Sequence, residues 1–226
     1  MKNIVVFTGA GISAESGLGT FRDSGGLWEK YKVEEIATPE AFKTNPKLVL
    51  DFYNLRRRQL LNTNPNPAHY SLNKLQEKYN LSIITQNIDD LHERSGSENV
   101  LHLHGKLRES KSTYIDNDIY EIEGEDLNIG DLCKNGYQLR PNVVWFGESV
   151  PKMDIAISQV SKADILIIIG TSLNVYPAAS LLHYAEKADR IIIIDPNAEF
   201  HTGVEIIKQK ASIAVPELVN DLLCIA

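Results

Sequence analysis

The stretch IVVFTGAGISA, residues 4–14, decides the fold because a short apolar strand runs directly into a turn that contains two glycines. Gly9, Gly11 and Ala14 match the G-x-G-x-x-G/A fingerprint, in which backbone N–H groups approach a pyrophosphate at the start of a helix. We expect Gly9 and Gly11 to permit this close approach, because glycine has no side chain. On its own the pattern is weak, because a strand-to-helix turn that binds no ligand has the same sequence features.

Other apolar runs of similar length lack strict alternation, and they lie at residues 81–85, 143–146, 165–169 and 191–194. Strands buried on both faces of a parallel sheet have this composition. Helical patterns separate or flank them, at residues 46–61, 67–79, 177–188 and 215–226. This alternation predicts an α/β fold, a Rossmann-like doubly wound parallel sheet.

Two stretches interrupt the alternation. Residues 24–66 contain no convincing strand, and residues 105–139 are polar and rich in acidic residues. We interpret both as insertions that together form a smaller lobe of a single domain, residues 1–226. The Rossmann-like core then comprises residues 1–23, 67–104 and 140–226. A cleft between two lobes is a favoured place for a ligand.

Acidic residues outnumber basic ones by 30 to 23, which gives the 226-residue chain a net charge of −7. This balance argues against a nucleic-acid partner bound by phosphate neutralisation. Cys133 and Cys224 are too few for a disulfide framework, and the N-terminus lacks a signal-peptide pattern, so we expect a cytoplasmic protein. The apolar runs are too short to cross a membrane. We expect a monomer.

The glycine fingerprint usually requires a second strand that ends in an acid about 20 residues further on. Residues 25–35, GGLWEKYKVEE, do not form a buried strand pattern. The apolar strand that does end in an acid is IIIID, which closes on Asp195, and another strand ends in GTS at residues 170–172. The nucleotide-binding strand ends are therefore arranged differently from those of a hydride-transfer enzyme.

Polar side chains follow the strand at 81–85 in the stretch ITQNIDDLH, residues 84–92. The carboxyl end of this strand, where ligands meet open sheets, is followed by Gln86, Asn87, Asp89 and Asp90. The alternative is that Asn87 or Asp89 only caps the next helix.

The stretch VLHLHGKL, residues 100–107, alternates, so His102 and His104 are expected on the same side of a strand. His104 is the better candidate for a general base, because Gly105 permits a sharp turn that leaves the ring open to a cleft. For His102 we expect the structural role that is more common for a single histidine.

The segment RPNVVWFGES, residues 140–149, is either a buried strand and turn or an exposed strand edge. An exposed edge pairs with an extended peptide through main-chain hydrogen bonds that do not depend on the peptide sequence.

Together these stretches resemble the sirtuin family of NAD-dependent protein deacylases. The resemblance is carried by GAGISAESGLGTFRD, TQNIDDLH, the pair HG, NVVWFGE, GTSLNVYPA and KASIAVPEL. They occur in the family order and span nearly the whole chain, so the joint match is far more specific than the glycine fingerprint alone.

The resemblance implies that NAD is consumed. The carbonyl oxygen of an acylated lysine attacks the nicotinamide ribose, nicotinamide leaves, and an alkylimidate forms. A histidine then deprotonates a ribose hydroxyl, which attacks the imidate carbon. The products are free lysine, nicotinamide and O-acyl-ADP-ribose. The implied partners are acylated lysine side chains of proteins.

Carried over residue by residue, the resemblance makes His104 the general base. It implies that Phe21 and Arg22 belong to a loop over the nicotinamide ribose. The full set that it assigns to NAD is Gly9, Ala10, Gly11, Ala14, Phe21, Arg22, Gln86, Asn87, Asp89, Gly170, Thr171, Ser172, Asp195 and Ala211. It assigns the peptide groove to Val144, Phe146, Gly147 and Glu148.

Two features depart from the family pattern. Most members carry two C-x-x-C pairs for zinc after the HG pair, whereas between Gly105 and Pro141 this chain has only Cys133. A structural zinc site needs four ligands, so we predict no zinc. The second departure is Asp195, where the family usually has asparagine; aspartate accepts from ribose hydroxyls but has no amide N–H.

Tyr53 and Arg56 are three residues apart in FYNLRRRQLL, residues 52–61, and so share one helix face. Tyr-x-x-Arg at this place resembles the sirtuins that remove succinyl and malonyl groups, and a guanidinium with a phenol suits a distal carboxylate. The small Ala14 would leave room beside them. Arg57 and Arg58 are expected on a solvated basic face.

Two other functions remain open. One is an NAD hydrolase or ADP-ribosyltransferase that uses the same pocket, against which the peptide-binding segment VVWFGE argues. The other is a non-catalytic NAD-sensing module, against which His104 and the stretch TQNID argue.

Overall fold

The computed structural model describes residues 1–19, 31–114, 118–171, 173, 175–200 and 202–225. The strands are β1 (Asn3–Thr8), β2 (Asn80–Thr85), β3 (Val100–His102), β4 (Gly105–Ser112), β5 (Ile119–Glu121), β6 (Leu139–Val143), β7 (Ile165–Ile169), β8 (Arg190–Ile194) and β9 (Glu205–Ile207). The helices are α1 (Gly11–Ala14), α2 (Val33–Ile36), α3 (Pro39–Thr44), α4 (Pro46–Leu61), α5 (Pro67–Lys74), α6 (Leu91–Arg94), α7 (Met153–Val160) and α8 (Ala211–Ile225).

A parallel sheet forms the centre of the larger lobe. Among the described residues its six strands lie in the order β3-β2-β1-β7-β8-β9. The chain moves outward from β1 to β3 on one side and later returns to β7 on the other side of β1. The order therefore reverses between β1 and β7, and such a switch point opens a crevice at the carboxyl ends of the strands.

Helices cover both faces of this sheet. Side chains of α5 and α8 pack on one face, and α7 with the 3₁₀ helix Ala178–Tyr184 packs on the other. Every residue of β7 is buried, which explains its continuous aliphatic sequence. The predicted α/β fold with a Rossmann-like parallel sheet is confirmed. None of the helices in the described ranges is long and apolar enough to pass through a membrane.

Some predicted elements differ from the observed ones. The run at 143–146 is not a strand of the parallel sheet, because β6 ends at Val143 and pairs antiparallel with β4. The prediction for 177–188 as an α-helix is wrong, because Ala178–Tyr184 is a 3₁₀ helix. The closing helix begins at Ala211, four residues before the predicted 215. In contrast α4 has the predicted bounds, set by the Asn45 side chain and by Pro46 at its first position.

The smaller lobe combines α2, α3 and α4 with an antiparallel sheet in the order β5-β4-β6. The β6 strand belongs to this sheet, so the second segment of the lobe extends to Val143, past the boundary drawn at 140. Apolar side chains from both segments share a core, in which Leu50 of α4 packs with Ile122, Leu127 and Leu139.

Arg57 joins the two segments of the smaller lobe. Its guanidinium donates to the carbonyl oxygens of Leu107 at 2.9 Å and Glu125 at 3.0 Å, and to Asn54 Oδ1 at 2.8 Å. The expectation that Arg57 lies on a solvated face is wrong, since the residue is fully buried. Burial lowers the pKa of Arg57 to about 10, partly offset by Asp126. Arg58 is exposed as expected and pairs with Asp126.

Cys133 is buried in the apolar core of the smaller lobe and is not part of a disulfide. Nearby, Asp118 accepts from the Tyr120 hydroxyl at 2.8 Å and pairs with Lys134 at 3.2 Å. In the described ranges no group of three or more His, Cys, Asp or Glu residues is arranged to hold a metal ion. The residues at hand do not fit a structural zinc site, which takes four Cys or His ligands.

The buried contacts of Arg57 predict a large stability loss for Arg57→Ala. The substitution leaves two buried carbonyl oxygens without their donor, and we expect the free energy of unfolding to fall by about 2–4 kcal/mol. Urea unfolding at neutral pH measures it. Arg58→Ala, one residue along the same helix, is the control, and we expect little change because its ion pair is exposed. Equal losses for the two variants would contradict the proposed role of Arg57.

The missing ligands predict that the protein folds without zinc. Elemental analysis of protein purified without chelators is expected to find far less than one zinc per chain. EDTA is expected to leave the melting temperature unchanged, because a structural zinc contributes directly to folding free energy where it is present. Stoichiometric zinc would overturn the prediction.

Candidate active site between the lobes

A cleft of about 1090 Å³ lies between the two lobes, at the carboxyl ends of β1, β2, β7 and β8. Every predicted site residue within the described ranges lines it. These residues are Gly9, Ala10, Gly11, Ala14, Tyr53, Arg56, Gln86, Asn87, Asp89, His104, Val144, Phe146, Gly147, Glu148, Gly170, Thr171, Asp195 and Ala211. The predicted residues Phe21, Arg22 and Ser172 lie outside the described ranges.

The glycine turn after β1 lies directly against the end of β7. A Cβ atom on Gly11 would lie 2.6 Å from Gly170 Cα, and one on Gly9 would lie 2.7 Å from Thr171 Cβ. The N–H of Gly9 donates to the carbonyl of Ile169 and that of Gly11 to the carbonyl of Gly170. Both N–H groups are therefore used within the protein, and the contact of this turn with a pyrophosphate stays a prediction. The glycines are needed because two backbones meet without side chains between them.

A buried polar network connects the glycine turn to the segment after β2. Ser13 Oγ donates to Asp89 Oδ2 at 3.0 Å, and Asn87 Nδ2 donates to the Gly9 carbonyl at 3.1 Å and to Ser13 Oγ at 3.2 Å. Asp89 also accepts from the N–H of Leu91, the first residue of α6. Asp89 thus lines the cleft and receives a helix-starting hydrogen bond. Burial raises the pKa of Asp89, and the bonds from Leu91 and Ser13 partly counter this.

His104 follows β3 and presents one ring nitrogen for chemistry. Its Nδ1 lies 3.0 Å from the carbonyl oxygen of Gln86. A carbonyl oxygen only accepts hydrogen bonds, so Nδ1 carries the proton and Nε2 keeps its lone pair. Burial lowers the pKa of His104, while the bond to Gln86 raises it in part. The neutral, basic form of the ring is therefore favoured.

His102 has a structural role. Its ring bonds to the Asn87 carbonyl at 3.0 Å and to Glu93 Oε1 at 2.8 Å, and it is buried. Burial raises the pKa of Glu93, but the hydrogen bond and charge of His102 and the bond from Lys106 lower it to about 2. The two histidines thus hold successive carbonyl groups of the segment that starts at Gln86.

Tyr53 and Arg56 of α4 lie on the part of the cleft that the smaller lobe forms. Tyr53 is buried, and its hydroxyl oxygen accepts a hydrogen bond from Trp145 Nε1 at 3.0 Å. Arg56 Nη1 lies 3.5 Å from the Gly19 carbonyl and from Gln59 Oε1. Burial lowers the pKa of Arg56, with Asp89 and Tyr53 acting in the opposite direction.

The segment from Val144 to Glu148 lines the cleft but is not an open strand edge. The N–H of Val144 donates to the His104 carbonyl, that of Phe146 to the Ala37 carbonyl, and that of Trp145 to Glu148. These three donors are already used within the protein, so a peptide that pairs with this segment would have to bond to other groups of it. Phe146 is exposed, and Gly147 has a φ of +91°.

The ends of β7 and β8 supply the remaining polar groups. Gln86 Nε2 donates to Thr171 Oγ1 at 3.0 Å, which links the ends of β2 and β7. Asp195 directly follows β8, and its Oδ1 accepts from the N–H of Asn197 at 2.8 Å.

Sequence reasoning missed Ser13 and Trp145. Ser13 occupies a variable position of the glycine fingerprint, so the fingerprint gave it no role. Trp145 has no role of its own in the apolar run or in the VVWFGE segment that contains it, although a buried indole N–H normally needs an acceptor. That rule signals a partner but does not identify it.

Comparison with known families gives one clear match: the description "Sir2 family" fits residues 9–177. Among curated relatives, an NAD-dependent protein deacylase of Bacteroides thetaiotaomicron is 50% identical, covering 96% of this chain and 97% of its own. An NAD-dependent protein deacylase of Helicobacter pylori strain 26695 is 53% identical, covering 99% of this chain and 98% of its own.

Solved structures of Sir2 homologues have the same fold. A mutant Sir2 homologue in complex with ADP-ribose is 41% identical with a TM-score of 0.91, covering 100% of this chain and 94% of its own. A Sir2 homologue in complex with NAD is 41% identical with a TM-score of 0.90, covering 99% and 90%. A Sir2 protein bound to an acetylated peptide is 29% identical with a TM-score of 0.83, covering 97% and 92%.

Proposed function

Because the chain belongs to the Sir2 family and is an NAD-dependent protein deacylase, we propose that it removes succinyl and malonyl groups as well as acetyl groups from protein lysines. One observation carries the proposal: the basic nitrogen of His104 and the pair Tyr53 and Arg56 belong to one cleft. Such a cleft brings a base and a carboxylate-binding pair to the same substrate.

NAD fits this cleft. The volume of about 1090 Å³ is large enough for a dinucleotide. Bound NAD supplies an electrophilic ribose carbon and nicotinamide as a leaving group. We propose that its pyrophosphate rests on the turn Gly9–Gly11 beside Ala14. The adenosine then faces Gly170, Thr171 and Ser172, with Ala211 close by and Asp195 accepting from its ribose hydroxyls.

The remaining NAD contacts lie beside His104. We assign the nicotinamide to Asn87 and Asp89 and the adjoining ribose to Gln86. These side chains follow β2 and bond to groups that follow β1 and β7. His104 accepts the proton of a ribose hydroxyl at Nε2, the nitrogen that its bond to Gln86 leaves free. Phe21 and Arg22 are proposed to cover this ribose and keep water out.

The acyl end of the substrate is proposed to reach Tyr53 and Arg56. Burial lowers the pKa of Arg56, which means that the site disfavours an isolated positive charge. A carboxylate at the tip of a succinyl or malonyl group offsets this cost and accepts hydrogen bonds from the guanidinium and the phenol. An acetyl group has no such carboxylate.

The peptide that carries the lysine is proposed to lie along Val144, Phe146, Gly147 and Glu148. A Sir2 relative bound to an acetylated peptide supports a protein substrate. Since the N–H groups of Val144 and Phe146 are used internally, we expect the peptide to bond to the carbonyl oxygens of this segment. We also propose a monomer that acts in the cytoplasm and binds neither nucleic acid nor membrane.

Product analysis tests the reaction and the role of His104. The chain is incubated with NAD and an acyl-lysine peptide, and peptide, nicotinamide and O-acyl-ADP-ribose are followed by mass spectrometry. We expect deacylated peptide, nicotinamide and O-acyl-ADP-ribose to form in equal amounts. In His104→Ala we expect the rate of peptide deacylation to fall by about 10²–10⁴-fold. Nicotinamide release without peptide turnover would indicate an NAD hydrolase, and no NAD consumption would indicate a sensing module.

The same assay has a pH signature. The pKa of His104 lies below its ordinary value of about 6.5, so the ring stays neutral at neutral pH. We expect kcat/KM to stay constant from neutral pH down to about pH 6.5. Below that, kcat/KM is expected to fall as the pH drops through the lowered pKa of His104. His183→Ala, which changes an exposed histidine, is the control and keeps the profile.

Arg56→Met tests the acyl preference. We expect kcat/KM for a succinyl-lysine peptide to fall by about 10- to 100-fold, because a charge-assisted hydrogen bond contributes about 1.5–3 kcal/mol. For the matched acetyl-lysine peptide we expect little change. Arg58→Met, exposed on the same helix, serves as the control. If Arg56→Met keeps the wild-type ratio of kcat/KM for the succinyl peptide to kcat/KM for the acetyl peptide, the proposed preference is wrong.

A further inference from the structure

The Trp145 indole makes a directed hydrogen bond inside the cleft wall. Its Nε1 lies 3.0 Å from the hydroxyl oxygen of Tyr53, and each of the two residues is only 2% exposed. Both residues line the cleft between the lobes. The contact joins helix α4 to the segment after β6, which are distant in the sequence.

The direction of this bond is fixed by chemistry. An indole N–H only donates, so the phenol oxygen of Tyr53 must accept. The single phenol proton then remains for another acceptor, and within the described part of the chain the Tyr53 hydroxyl donates no hydrogen bond. Burial raises the pKa of Tyr53 well above its ordinary value, although the bond from Trp145 lowers it in part, so the phenol stays protonated.

Trp145 is itself held on two sides. The guanidinium of Arg140 stacks on its ring, 3.3 Å from the centroid. Arg140 also bonds to both carboxylate oxygens of Glu148, at 2.7 and 3.0 Å, and Glu148 accepts the backbone N–H of Trp145 at 2.7 Å. The indole therefore has little freedom to turn its N–H away from Tyr53.

We propose that Trp145 is a positioning residue for acidic acyl groups: its N–H occupies the Tyr53 oxygen and directs the phenol proton to the distal carboxylate of the substrate. The inference rests on the proposed preference for succinyl and malonyl groups. A phenol whose oxygen already accepts a hydrogen bond is also the stronger donor. An acetyl group gains nothing from this arrangement, because it has no carboxylate for the phenol to meet.

The test compares Trp145→Phe, Tyr53→Phe and the double variant on matched succinyl- and acetyl-lysine peptides. Phenylalanine keeps an aromatic ring beside Arg140 and removes the donor. For Trp145→Phe we expect KM for the succinyl peptide to rise about three- to tenfold with kcat nearly unchanged, and kcat/KM for the acetyl peptide to stay within about twofold. In the Tyr53→Phe background the same substitution is expected to have no further effect.

Three results would overturn the inference. The first is an equal loss on both peptides that also occurs when benzothienylalanine, which keeps the bicyclic shape without the N–H, replaces Trp145. The second is an undiminished effect of Trp145→Phe in the Tyr53→Phe background. The third is an unchanged succinyl KM in Trp145→Phe while Arg56→Met abolishes the acyl preference, which leaves the proposed function intact. If Arg56→Met also leaves the preference unchanged, the proposed function fails and this inference fails with it.

Discussion

The cleft depends on a contact between two backbones that side chains would prevent. The turn after β1 touches the turn after β7, and a Cβ atom on Gly170 would lie 2.4 Å from the N atom of Ile12. Gly170 has a φ of +61°, which glycine adopts at little cost. This contact joins the strands on either side of the switch point. Strand β2 pairs in parallel with β1, and β8 pairs in parallel with β7. The polar residues that follow β2 and β8 therefore lie at the bottom of the same cleft.

The sequence was sufficient to predict the positions of residues that directly follow a strand. Gln86, Asn87 and Asp195 follow buried apolar runs, and parallel strands align their carboxyl ends, so their convergence was predictable. The position of His104 in the cleft was predictable for a similar reason, since Gly105 with its φ of +78° turns the chain beyond β3. The α/β fold followed from the same apolar periodicity.

Contacts between distant segments were not predictable. Arg57 and Arg58 are neighbours in a run of three arginines, yet one is fully buried and the other exposed, because only Arg57 points at carbonyl groups of a segment 50 residues further on. The run at 143–146 has the composition of a buried strand. However, β6 ends at Val143, and the Trp145 indole donates a hydrogen bond to Tyr53. Helical periodicity and strand composition do not show which distant residue a side chain contacts.

Arg57 also bears on how this lobe can be exchanged with that of a relative. Helix α4 and the second segment, which ends with β6, are separated in the chain but share one guanidinium and one apolar core. A chimaera that imports only the second segment from a relative would keep Arg57 but replace the segment whose carbonyl groups bond to it. An exchange of this lobe must therefore move the helix and the second segment together, and it must include all of β6, which the boundary drawn at 140 would divide.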